Sequence, residues 1–209
     1  MVCFDAQGKH LEAVSALIEG GANLDLSNKN GKTAVGYAAS GNSAAALQLL
    51  LDAGAAFDVQ NIKGFSPLMD AAIRGHVAAV RLLLEKGANP DLGVYDGASI
   101  DSDESGGETA LIFAIDRDKP EDRLEVVKLL LNAGANIDLQ DNTGRTALMY
   151  AKVLGHPSHE QELIERGADM NVLEDARGRT ARDYGATTVP NHFVTVDEDE
   201  EEESRRLLG

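Results

Sequence analysis

The chain has 209 residues, 35 acidic against 19 basic side chains, a formal net charge of −16 and only 4% aromatics. That charge excludes general affinity for nucleic acid, whose phosphates need a basic face. No apolar run approaches a membrane span and no secretory leader is read, so a soluble protein of the cytoplasm, or of the nucleus, is expected. The single cysteine, Cys3, excludes an internal disulfide framework and fits a reducing compartment.

Gly-Ala recurs along the chain. Gly21, Gly54 and Gly87 are successively 33 residues apart, and Gly134 and Gly167 are again 33 apart. A fixed period of this length marks one supersecondary unit copied many times. The first copy, 1–24, starts inside a first helix, with Phe4 in the register of Tyr37, and continues into a second. Copies two and three occupy 25–57 and 58–90. Thr33 and Ser66 each follow Gly-x and precede an Ala-rich segment, so each caps a first helix. Small residues there (Ala38 and Ala39, Ala71 and Ala72) permit close approach of neighbouring copies. The second helix carries an apolar stripe such as Val80, Leu83 and Leu84, and the terminal glycine supplies a left-handed stop.

Copy four, 91–137, breaks the period twice. Its stretch from Gly87 to Thr109 is ten residues longer than that from Gly54 to Ser66. It also holds four extra residues around Asp116-Arg-Asp-Lys-Pro-Glu-Asp122, between its two helices. Copy five, 138–170, is regular, with Thr146 as its cap. A partial copy, 171–189, opens with Gly178-Arg-Thr180. The remainder, 190–209, contains seven consecutive acids at 197–203 and reads as an acidic, flexible tail.

Copy three reads Gly64-Phe-Ser-Pro-Leu-Met-Asp-Ala-Ala-Ile-Arg-Gly-His76, then Val80-Arg-Leu-Leu-Leu-Glu-Lys-Gly-Ala88; copy five reads Gly144-Arg-Thr-Ala-Leu-Met-Tyr-Ala151, then Gly155-His156 and Gly167-Ala168. These segments resemble the ankyrin-repeat pattern, over roughly residues 1 to 186. The resemblance implies an all-α solenoid of stacked helix-turn-helix units with hairpin-like tips. About five repeats plus a partial C-terminal one would form one domain, 1–189. It implies a monomeric, non-catalytic adaptor or scaffold without a cofactor, gripping a partner peptide or domain in its concave groove and on its tips. The alternative is a docking or regulatory segment of a larger enzyme or channel.

Candidate contact residues follow from register. The position four after each cap holds Tyr37, Asp70, Phe113, Tyr150 and Tyr184, with Phe4 in the first copy. These rings either pack between neighbouring helices or form an aromatic ladder along the groove, the residue type of interface hot spots. The tips carry Lys29, Lys32, Lys63, Phe65, Arg145, Arg177 and Arg179. Arg74, Lys86 and Arg166 are expected on the same side, whereas the tip of copy four is acidic: Asp101, Asp103, Glu104 and Glu108. Either the tips are polar because they are wet, or the groove has basic ends and an acidic middle, suited to an acidic or mixed-charge segment. The tail could fold back onto the basic tips of the last copies.

Chemical motifs fall away on spacing. Gly31-Lys32-Thr33 ends like a phosphate loop, but the required first glycine would be Leu26. His76 and His156 sit where the repeat ties an imidazole to backbone. His156 and His159 share a helix face, yet Pro157 intervenes and no third metal ligand is at hand. Asp101, Asp103 and Ser105 open like a calcium loop, but the closing glutamate would fall at Ile112. No metal site and no catalytic constellation is expected.

Overall fold

The computed structural model describes residues 11–94, 106–115, 120–171 and 173–184. Helices come in pairs: α1 (Leu11–Glu19), α2 (Ala34–Ser40) with α3 (Ala44–Asp52), α4 (Pro67–Ile73) with α5 (Val77–Glu85), α6 (Ala110–Phe113) with α7 (Pro120–Asn132), and α8 (Ala147–Leu154) with α9 (Pro157–Glu165). A short 3-10 turn, Ala181–Asp183, follows. The first helices α2, α4, α6 and α8 pack in one row, and α1, α3, α5, α7 and α9 in a second. Among the described residues the extended pairing is confined to two isolated bridges, Gly93 with Thr109 and Glu174 with Thr180. The architecture is the expected helical solenoid.

Local chemistry sets the helix ends. The hydroxyls of Thr33, Ser66 and Thr146 accept hydrogen bonds from the backbone of Gly36, Met69 and Met149 at 3.2–3.4 Å, satisfying N–H groups that the first turn leaves over. Thr109 occupies the same position without that bond. Gly54, Gly87, Gly134 and Gly167 end the second helices at φ of 84° to 92°. The core is two columns of equivalent residues, Val35, Leu68, Leu111 and Leu148 on first helices and Leu50, Leu83, Leu130 and Leu163 on second helices, all at most 3% exposed.

Polar ladders register one copy on the next. The backbone N–H groups of Ala56, Asn89, Asn136 and Asp169, at the end of each copy, donate to the carboxylates of Asp25, Asp58, Asp91 and Asp138, which open the same copy and lie beside the start of the next. The Gln60 side-chain amide donates to the carbonyls of Gly64 and Gly93, and that of Gln140 to Gly144 and Glu174. Copy four keeps these rungs despite its extra length because the insertion leaves from a closed stem. There the Val94 N–H donates to Glu108 and the Gly107 N–H to Val94, at 3.1 and 2.9 Å.

Candidate partner-binding surface

Each tip is built around one side chain five residues before the cap. Asn28, Asn61, Asp141 and Asp175 accept, through Oδ1, from the N–H groups two and four residues further on, at 2.8–3.1 Å. This local turn holds the loop and leaves the second side-chain atom free to reach the first helix. There it meets the ring nine residues on. Asn28 donates to the Tyr37 hydroxyl at 2.6 Å, the Tyr150 hydroxyl donates to Asp141 at 2.5 Å, and the Tyr184 hydroxyl donates to Asp175.

The residue just before each cap lies over the same ring. Lys32, Arg145 and Arg179 stand 5.2, 5.8 and 4.6 Å from the ring centroids of Tyr37, Tyr150 and Tyr184. Arg179 also forks onto Asp175 at 2.7 and 2.9 Å. Burial alone would raise the Asp175 carboxyl, but the Tyr184 hydroxyl, the Arg179 guanidinium and backbone N–H groups hold it well below the usual carboxylate range. Burial, reinforced by Asp141, pushes the Tyr150 phenol far up, so it stays a neutral donor.

Copies three and four vary the theme. Asp70 replaces the ring, and Lys32 of the preceding copy reaches its carboxylate at 3.3 Å. Phe65 and Phe113 pack ring to ring across adjacent copies, 5.1 Å apart. The register therefore bolts tips to first helices. Tyr37 is half-buried, while Phe65, Asp70, Phe113, Tyr150 and Tyr184 are buried, so what they offer an approaching surface is their edges. Tyr150→Phe is expected to cost about 1.5 kcal/mol of stability, the worth of a hydrogen bond to a charged acceptor. Urea unfolding checks this; an unchanged midpoint with weakened partner binding would favour the hot-spot role instead.

Three of the basic candidates stand at helix ends. Arg74 caps the far end of α4, about one helix length of 10 Å from the tips. Lys86 ends α5 and bonds Asp52 at the end of α3, at 2.6 Å; Arg166 ends α9 and bonds Glu162 and Asn132. The last two therefore run along the ends of the second helices. Arg74 therefore does not share the side of the tips, because a first helix carries its last residue away from the tip at which it starts. His76 behaves as expected, its Nε2 bonding the Ser40 carbonyl at 3.0 Å.

Lys29, Lys63 and Arg177 remain exposed at the apices. Beside the first two the structure adds side chains that the sequence reading passed over: Leu26 at 70%, Ile62 at 61% and Val59 at 37% exposure. The signal was available, since Ile62 stands in the slot that Lys29, Asn142 and Ala176 fill in other copies. Phe4, Asp101, Asp103, Glu104, Ser105 and the acidic tail lie outside the described residues. Among the described residues no group of three or more histidine, cysteine or acidic side chains could hold a metal ion. No helix there is long and apolar enough to cross a membrane.

A model of the family "Ankyrin repeats (3 copies)" matches residues 1–96 and 92–174. Among solved structures, the chain is similar to EF0377, an ankyrin repeat protein, with 30% identity and a TM-score of 0.69, covering 83% of this chain and 84% of that one. It also resembles a chain in the complex of the Bd0816 predatory endopeptidase from Bdellovibrio bacteriovorus with immunity protein Bd3460. That match has 24% identity and a TM-score of 0.69, over 85% and 86% of the two chains. No curated protein is matched at a significant level.

Proposed function

The chain belongs to the ankyrin-repeat family, and on that premise we propose that it is a non-catalytic adaptor that grips a protein segment with the tips of copies two and three. Ankyrin repeats are generally protein–protein interaction modules. The observation that carries the finer reading is the content of these two tips, where exposed Leu26, Val59 and Ile62 stand beside exposed Lys29 and Lys63. Aliphatic groups this exposed are left uncovered by the fold, and they bury readily against a partner. The lysines select a segment with carboxylates next to its apolar residues and set its rate of arrival.

This reading narrows the candidate surface. Lys32, Arg145 and Arg179 are engaged with Asp70, Tyr150 and Asp175, so they act chiefly by shaping the tips. Lys29→Gln with Lys63→Gln should weaken partner binding about tenfold at low salt and less at high salt, as exposed charges do. Leu26→Ser with Ile62→Ser should weaken it further at either salt. The check is affinity capture followed by titration of the captured protein, beside thermal melts. Equal affinity in all variants with intact folds would remove the tips from the binding surface.

A further inference from the structure

His159 is anomalous. In the equivalent slot α3, α5 and α7 carry Ala46, Ala79 and Val126. All four side chains are buried, at 3% exposure or less. His159 itself is fully buried, and neither ring nitrogen meets a donor or acceptor among the described residues. Its ring lies 5.5 Å from that of His156. The elements packed against it add no opposing charge among the described residues. From α7, Arg123 is close enough to act on it; Glu125 is paired with Arg81, and Lys128 with Glu162. From α8, Lys152 is paired with Glu160, and on α9 itself Glu162 is further held by Arg166. The ring thus sits at the seam of copies four and five, facing one imidazole and one guanidinium.

We propose that this seam is an acid-labile joint: protonation of His159 loosens copy five and the turn after it from the stack while copies two and three stay folded. A solenoid allows this, because each copy touches only its neighbours and stability is close to a sum of local terms. Burial, then the charges of His156 and Arg123, lowers the His159 imidazole from 6.5 to about 4. A histidine depressed in the folded state contributes full stability above its unfolded value and loses it as pH falls through the interval between the two. The loss here spans pH 6.5 to about 4 and amounts to about 300-fold in the opening equilibrium when complete, or about 80-fold at pH 4.5.

The joint is independent of which partner the tips hold. It is tested by hydrogen exchange with peptide-level detection at pH 7.5 and 4.5, corrected for intrinsic rates, in the intact chain and in His159→Val, the residue type at 126. His159→Gln keeps the size and polarity of the side chain but cannot titrate. The expected result is that opening within 147–165 rises about 80-fold more between the two pH values in the native chain than in either variant. Opening within 67–85 should change equally in all three. Carboxylates such as Asp175 also titrate on acidification, and the comparison between chains subtracts them. An equal pH response in the native chain and both variants overturns the joint. So does protection of 147–165 that persists to pH 4 in the native chain.

Discussion

Lys32→Met is expected to lower the stability of the chain by about 3 kcal/mol, the scale for removing one partner of a buried ion pair. The Lys32 ammonium is 3.3 Å from the Asp70 carboxylate, with side chains only 5% and 11% exposed. It also stands 5.2 Å from the Tyr37 ring, so tip, first helix and following copy meet at one charge. Without the lysine, Asp70 keeps its carboxylate in a place that water reaches poorly. Replacing both residues by apolar ones of similar volume, Lys32→Met with Asp70→Leu, should recover most of the loss, because desolvation of the pair largely offsets its attraction. A double-mutant cycle followed by urea unfolding measures the coupling. A coupling below about 0.5 kcal/mol would assign these two residues to something other than holding copies two and three together.

That pair shows where the sequence could be read and where it could not. The period, the Thr and Ser caps and the terminal glycines are local signals, fixed by which backbone groups a residue can satisfy. They mark where most helices start and stop before any contact is known. Copy four departs from this, since α7 begins at Pro120 inside the stretch expected to lie between helices, and after Thr180 only a 3-10 turn forms. Register also brings Tyr37, Asp70, Phe113, Tyr150 and Tyr184 into one column. It could not decide whether the column faces a partner, since that depends on side chains from another part of the copy. Lys32, Arg145 and Arg179 lie over the column, and the Asx residues at the tips bind its hydroxyls. Lys86 and Arg166 stand just before the terminal glycines. Register alone could not name their partners: the long side chains find Asp52 and Asn132, 34 residues away, because the period stacks helix ends directly on one another. His159 was legible only as one half of a weak metal pair. Its meaning came from the alanines and valine that share its slot.

Gly144→Ala should cost about 3 kcal/mol, whereas Gly178→Ala, at the same position one copy later, should cost about 1 kcal/mol, the penalty of a left-handed residue alone. Both glycines are left-handed, with φ of 76° and 70°. The difference lies in what comes next. A Cβ on Gly144 would stand 3.0 Å from both the Asp175 Cα and the Glu174 carbonyl oxygen, so the backbone of the next tip would have to give by a few tenths of an ångström. A Cβ on Gly178 would meet only the tip of the Glu174 side chain at 3.6 Å. Successive tips are also hydrogen-bonded, Ala176 N–H to the Thr143 carbonyl at 2.8 Å and Ile62 N–H to that of Asn30 at 3.0 Å. Pushing one tip off the next therefore breaks a bond as well as a packing contact. Gly31 repeats the arrangement, its would-be Cβ 2.9 Å from the Ile62 nitrogen, so Gly31→Ala should displace the apolar tip proposed to bind the partner. Urea unfolding of Gly144→Ala beside Gly178→Ala separates conformational strain from tip stacking. Equal costs at the two sites would mean that the tips are held only by the helices beneath them. In that case the exposed residues of copies two and three would move independently and could not present a preformed surface.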